Sequence, residues 1–462
     1  MTFSFHTLGC KLNFAESSAI GKVLLSDGHK RASSGEQADI CIVNTCSVTD
    51  VADSKGRQLI RRLHRENPDA CIIVTGCYAQ LRPDEVSGLE GVNFIVGAND
   101  KEKIREIVKQ TQARSHLSPL SDKQNIMPEV CITDLASPKS RLGVEGSAFH
   151  PYYSTDDRTR CFLKVQDGCD YYCTYCTIPM ARGRSRNASI EDTVRLAQQA
   201  IQEGAKELIL TGVNIGDFGR STGESFIDLL RALNHLEAEF RIRISSCEPN
   251  LLSDEIIDFV ADSVMHDKAH HHFTPHFHIP LQSGSDEMLK IMHRKYDTAL
   301  FAERVARIKE RMPDAFIGVD CMVGLRGETE KMFSDYADFI QSLPVSQLHV
   351  FPYSERAGTQ MVQSDLPRVD KKEQKRRVDA LLSLSEYKLK AFYASQKGKT
   401  RTVLWEAKVV ENVSERSKEH KTGDIFAQDS ASVLMSGWTE NYVRIYAPYD
   451  RSRINTFEKR VI

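Results

Sequence analysis

Three cysteines fall on one short stretch, Lys164-Val-Gln-Asp-Gly-Cys-Asp-Tyr-Tyr-Cys-Thr-Tyr-Cys176. Cys169, Cys173 and Cys176 follow a C-x3-C-x2-C spacing directly after a β-type run. Three thiolates on one loop can ligate three irons of a [4Fe-4S] cubane and leave the fourth iron open. The open iron can chelate the amino and carboxylate groups of S-adenosylmethionine and pass an electron to its sulfonium. A structural zinc site would want a fourth protein ligand, and no nearby histidine supplies one. Tyr175, one residue before the third cysteine, stands where an aromatic ring could pack on adenine.

A second triplet is spread over the first eighty residues. Cys10 ends a strand-like run in Thr7-Leu-Gly-Cys-Lys-Leu-Asn13, Cys46 another in Val43-Asn-Thr-Cys-Ser-Val-Thr49, and Cys77 a third in Val74-Thr-Gly-Cys-Tyr-Ala-Gln80. In a parallel sheet these strand ends share one edge, so the three thiols converge on a second possible cluster site. Cys41, Cys71, Cys161 and Cys321 lie inside strand-like runs and read as core residues. Six histidines between His266 and His278 invite a metal reading. His276 and His278 instead fit an alternating strand.

Elements that could position these groups follow from periodicity. Residues 1–111 alternate β-type runs (Phe3–His6, Ile40–Val43, Cys71–Val74, Phe94–Val96) with helical ones (Glu16–Ser26, Ser54–Glu66, Lys101–Gln110). That alternation predicts an α/β domain with a parallel sheet. Residues 112–154 lose the pattern and read as a linker. Residues 155–368 hold six strand candidates, from Phe162–Val165 to Leu348–Phe351, separated mostly by helices. They predict a complete or partial six-fold βα barrel with its chemistry at the strand C-terminal ends. Ser189 with Asp192 has capping-box spacing for one of those helices. Residues 369–462 open with a charged helix and end in a small antiparallel β domain. The helical region Arg368–Arg401 carries eleven Lys and Arg against four Asp and Glu, which is either a solvated face or a phosphate-binding one.

The whole chain of 462 residues has a net charge of −2 and pI near 6.7, so any nucleic-acid footprint must be local. No apolar run approaches a membrane span, and the cytoplasm is the expected compartment. Twelve cysteines in such a chain suit metal ligation better than a disulfide scaffold. Glycine-rich nucleotide loops are absent, which disfavours dehydrogenases and NTPases.

The Cys169–Cys173–Cys176 pattern resembles the radical S-adenosylmethionine superfamily. The contexts of Cys10, Cys46 and Cys77, with Arg243-Ile-Ser-Ser246, His278-Ile-Pro-Leu-Gln-Ser-Gly-Ser285 and His349-Val-Phe-Pro-Tyr-Ser354, resemble the methylthiotransferases. Gly437-Trp-Thr-Glu-Asn-Tyr-Val443 resembles the RNA-binding TRAM domain. The resemblance implies an N-terminal domain whose cluster carries or delivers sulfur, a partial TIM-like radical barrel and a TRAM-like end. It implies two [4Fe-4S] clusters, S-adenosylmethionine as both methyl and radical source, and contacts to its amino acid end from Thr211 and Gly212, while Gln282, at the end of the fourth strand-like run, could reach the ribose or the substrate. It also implies a tRNA anticodon stem-loop as partner and an electron donor such as flavodoxin or ferredoxin. The closest branch acts on N6-threonylcarbamoyladenosine. Isopentenyladenosine in tRNA and an aspartate of a ribosomal protein are the alternatives, and a non-catalytic iron–sulfur RNA-binding protein is the reading from another class. Arg182, Arg184 or Arg326 could meet a substrate carboxylate. One departure stands out: Gly324-Leu-Arg-Gly-Glu328 replaces the family's Gly-Phe-Pro-Gly-Glu, which removes a φ-fixing proline.

Overall fold

The computed structural model describes residues 1–33, 35–115, 127–135, 149, 151–154, 159–265, 272–410, 425–426 and 433–462. They gather into two compact units. The first holds 1–154, 162–188 and 354–362, and the second holds 155–161, 189–353 and 363–462.

The first unit is built on a six-stranded parallel sheet in the order β2-β1-β3-β4-β5-β6. Its strands are β1 (Thr2–Thr7), β2 (Lys30–Arg31), β3 (Ile40–Thr45), β4 (Cys71–Gly76), β5 (Val92–Val96) and β6 (Glu129–Cys131). The central strands β3 and β4 are buried along their whole length, which is why they read as unbroken apolar runs rather than alternating ones. Helices α1 (Lys11–Ser26), α2 (Asp50–Glu66), α3 (Cys77–Leu81), α4 (Pro83–Ser87) and α5 (Lys103–Ser115) alternate with them. Strand β6 lies in the segment expected to be a linker. It is a sheet-edge strand paired to β5, too short and too exposed to leave a periodic signal. Further along, β7 (Tyr152–Tyr153) pairs antiparallel with the end of β8 (Arg160–Lys164). The two-residue strands β9 (Gln166–Asp167) and β10 (Arg186–Asn187) then close the cysteine loop at its base.

In the second unit β11 (Glu207–Thr211) pairs parallel with β12 (Arg241–Ile244), and β13 (His276–Gln282), β14 (Phe316–Val323) and β15 (Gln347–Pro352) form a parallel trio. Single bridges Ile242–Phe273 and Ser246–His278 continue the parallel pairing from β12 to β13. Helices cross between these strands, as the barrel expectation requires. The one from Ile190 to Gln202 is capped by Ser189, whose side chain accepts from the Asp192 amide. The long helix Lys371–Gln396 is followed by β16 (Thr400–Val410), β17 (Ile425–Phe426), β18 (Leu434–Thr439), β19 (Arg444–Pro448) and β20 (Phe457–Val461). This last sheet is antiparallel except for the β17–β19 pair. Phe316 of the barrel shares one core with Phe392 and Tyr393 of the long helix and with Trp405 and Met435 of the sheet. The C-terminal segment is therefore packed into the barrel unit rather than appended to it.

Candidate active site

Both cysteine triplets belong to the first unit. Cys10 precedes α1, Cys77 begins α3, and Cys46 follows β3, so all three sit where parallel strands end. Cys10 is exposed, Cys46 half-buried and Cys77 buried. Gly9 makes their approach possible. Its φ of +104° suits glycine, and a Cβ there would come within 2.6 Å of Cys46 Cβ and 3.1 Å of its Sγ. Burial, reinforced by the neighbouring Cys77, pushes the free Cys46 thiol up to about 12. Cys77 is also raised by burial, while Arg182 and Lys101 act in the opposite sense.

The second triplet hangs from the β9/β10 base. Gly168, at φ +73°, lets the chain turn into it, and a Cβ there would lie 1.9 Å from the Arg184 carbonyl oxygen. The Cys169 amide donates to the Gly183 carbonyl at 3.1 Å, the Cys176 amide to Cys173 O at 3.0 Å, and the Ile178 amide to Cys176 Sγ at 3.4 Å. Cys173 is buried, and Cys169, Tyr175 and Cys176 are half-buried. The Met361 amide donates to Thr174 O at 2.8 Å, tying residues 354–362 to the loop. Arg356 on that segment reaches Asp50 and Asp53 of α2 and Ser47 beside Cys46, each at 2.6 Å.

Between the triplets lies a buried ionic network. Arg182 closes the cysteine loop's short helix, Ile178–Arg182. It donates to Glu16 at 3.0 Å, to Asp167 at 3.1 Å and to Asn13 Oδ1 at 2.7 Å, and Cys10 Sγ stands 3.9 Å from that same oxygen. Lys164 bridges Glu16 (3.1 Å) and Asp167 (2.8 Å), and Lys101 also pairs with Glu16. Burial opposes ionisation of Glu16, but Arg182, Lys101 and Lys164 outweigh it and hold the carboxyl well below its ordinary range. Asp167 is depressed likewise, by Lys164, Arg182 and Arg186 against its burial. Arg182 is thus fully committed inside the protein and is not open to a substrate carboxylate, contrary to the sequence expectation. Arg184 pairs with Asp170 at 3.2 Å, and Arg326 donates to the Ser364 carbonyl at 3.1 Å.

In the second unit Thr211 ends β11 and is buried, with Gly212 after it. Gln282 ends β13 at φ +64°, beside a register shift. His278, Asp320 and His349 occupy neighbouring positions on β13, β14 and β15. His278 Nε2 is 3.1 Å from Asp320, and the two imidazole rings are 5.2 Å apart. Arg294 pairs with Glu248 nearby in sequence to β12. His278 and His349 lie in stretches whose wording signalled them, whereas Glu248, Arg294, Glu16 and Arg356 carried no signal of their own. Of the six histidines, His266, His270 and His271 lie outside the described residues. His272 is buried with its two nitrogens near the carbonyls of Phe240 and Leu236, and His276 stacks on Phe316. The four cysteines read as core are buried.

Residues 2–97 match a family model described as Uncharacterized protein family UPF0004, and residues 163–340 match the Radical SAM superfamily. A threonylcarbamoyladenosine tRNA methylthiotransferase MtaB from Bacillus subtilis is 38% identical over 96% of this chain and 90% of its own length. The chain belongs to the radical S-adenosylmethionine methylthiotransferase family, of the MtaB type. The MtaB of Aquifex aeolicus is 33% identical, covering 87% of this chain and 92% of its own. Among solved structures, the radical S-adenosylmethionine methyltransferase TsrM from Kitasatospora setae matches 76% of this chain and 72% of its own with a TM-score of 0.53 and 14% identity, a likeness of fold.

Methylthiotransferases of this family use S-adenosylmethionine and [4Fe-4S] clusters. Among the described residues no three His, Cys, Asp or Glu side chains crowd around a single ion. A cubane asks for something looser, since each thiolate takes a different iron. Two sets of three thiols, each with at least one cysteine that is not buried, fit that demand. Among the described residues no helix is long and apolar enough to cross a membrane.

Part of the basic excess of Arg368–Arg401 is consumed inside the second unit. Arg377 pairs with Glu328 (2.8 Å), Arg376 with Glu330 (2.6 Å), Lys375 with Asp379 (2.6 Å) and Arg401 with Asp314 (2.6 Å). Lys388 donates to the Gln341 and Leu343 carbonyls.

Proposed function

We propose that this chain is a tRNA methylthiotransferase that places a methylthio group on C2 of N6-threonylcarbamoyladenosine beside the anticodon. The observation that carries the reading is that both cysteine triplets lie in one compact unit, with Arg182 and Asn13 between them. Cys169, Cys173 and Cys176 hold the cluster that binds S-adenosylmethionine, and Cys10, Cys46 and Cys77 hold an auxiliary one. Together the cofactors supply sulfur, a methyl group from one S-adenosylmethionine, and from a second a radical able to remove an unactivated hydrogen. C2 of a purine is not acidic, so no general base on the protein could open it.

The protein's part is to bind, orient and insulate. Tyr175, on the cysteine loop, would pack on the adenine of S-adenosylmethionine. The base leaves the anticodon-loop stack to enter, as single-stranded loop bases can. A flavodoxin or ferredoxin-like protein delivers electrons in the cytoplasm. The substrate assignment is supported by the name shared by the first relatives. Its test offers anaerobically reconstituted protein anticodon stem-loops bearing threonylcarbamoyl- or isopentenyladenosine, with nucleoside mass spectrometry as readout. The 2-methylthio product should appear only on the threonylcarbamoyl RNA. Product only on the isopentenyl RNA would overturn the substrate while leaving the radical chemistry intact.

A further inference from the structure

We propose that a basic cleft on the first unit, between the end of β1 and α2, binds the phosphate backbone of the RNA substrate. The proposal rests on the tRNA reading above and adds a surface to it. The cleft measures about 820 Å³ and is lined by His6 and Leu8 on one side and Lys55, Arg61, Arg62 and Arg65 on the other.

Charge is segregated along α2. Its N-terminal acids, Asp50 and Asp53, are both taken by Arg356. Four of its cations, Lys55, Arg61, Arg62 and Arg65, line the cleft. Arg62 has Glu66 only at 3.8 Å, and among the described residues no carboxylate lies within ion-pair distance of Lys55, Arg61 or Arg65. Arg57, outside the cleft lining, does have a partner, Glu85 at 3.7 Å. The contrast with the long helix Lys371–Gln396 is direct, because that helix spends its arginines on internal carboxylates.

Guanidinium forks without a close carboxylate match phosphate oxygens bidentately. The alternative occupant, an acidic electron-transfer protein, would want an apolar centre within a basic rim. Only Leu8 and Leu59 are apolar among the cleft residues, so the lining is built for a polyanion rather than a protein core. Location adds to this. Leu8 is two residues before the exposed Cys10, so a strand held here runs beside the first triplet.

The test uses the reconstituted full-length enzyme and a threonylcarbamoyladenosine anticodon stem-loop, with binding followed by fluorescence anisotropy across salt concentrations. The combined variant Arg61→Gln, Arg62→Gln, Arg65→Gln should bind at least about tenfold more weakly at low salt. Its slope of log affinity against log salt should be shallower by about 2, since each lost phosphate contact removes about 0.7. The matching triple lysine variant should keep most of the slope, and iron content and unfolding midpoint should show that both variants are folded. Unchanged affinity and slope in the glutamine variant would overturn the cleft while leaving the tRNA reading standing. Slower reduction by an acidic flavoprotein with RNA binding intact would overturn it in favour of the protein partner. A wild-type enzyme that binds no RNA at all would instead bring down the tRNA reading itself.

Discussion

Arg182 and Glu16 form an ion pair at 3.0 Å in which each side chain is 1% exposed. They join the radical cysteine loop to the helix that follows Cys10. A buried pair is weak evidence for stability as a whole, but removing one partner strands the other charge, at a cost of about 3–5 kcal/mol. Arg182→Met should therefore lower the urea midpoint markedly and reduce iron loading. A midpoint within experimental error of wild type would show that the network does not hold the unit together.

The same network sets an acid response. Glu16 and Asp167 are both depressed below their ordinary values of 4.5 and 3.8. A depressed carboxyl stabilises fully above its unfolded value and loses that contribution as pH falls toward its folded one. The stability gap between wild type and Glu16→Gln should be constant near neutral pH and narrow below about pH 4.5. A gap that widens on acidification would contradict the assignment of charges.

Cluster occupancy separates the two triplets. Reconstituted protein should hold about eight irons if both clusters are cubanes, and Cys173→Ala with Cys176→Ala should keep about four. Cys46→Ala should still cleave S-adenosylmethionine reductively but transfer no methylthio group. Full transfer by Cys46→Ala would remove the auxiliary site from the reaction.

Gly168 offers a backbone test. At φ +73° any Cβ is strained, and here it would also strike the Arg184 carbonyl. Gly168→Ala should cost about 1–2 kcal/mol in conformation alone and lower loading at the Cys169 loop first. Ordinary iron content with an unshifted melting curve would mean that the loop can be rebuilt around alanine.

Strand and helix positions were legible because periodicity reports local burial, and the burial of β3 and β4 is total. The two triplets stood out as well, one from its spacing and one from three similar strand endings, and all six cysteines fall in one unit. Partnership was not legible. Nothing near Arg182 in sequence names Glu16, 166 residues away, and the arginine looked like a ligand for substrate because its counter-charges come from α1 and β9. The basic stretch was ambiguous for the same reason, since a run of lysines and arginines does not reveal that Glu328 and Glu330 pair with the helix and Asp314 with Arg401 beyond it. Strand β6 was hidden by brevity. The shared core of Phe316, Phe392 and Trp405 was hidden because a contact between distant elements leaves no periodic trace.

Three separate stretches of chain make up the unit that carries both triplets, and the last of them brings Arg356, which follows its partner Asp50 by 306 residues. At translation speeds of about 5–20 residues per second, that interval lasts roughly 15 to 60 s on the ribosome. For most of it Cys10, Cys46 and Cys77 are already synthesised while their clamp is not, so iron delivery to this polypeptide must either wait for the nascent chain to pass residue 362 or shield those thiols until it does.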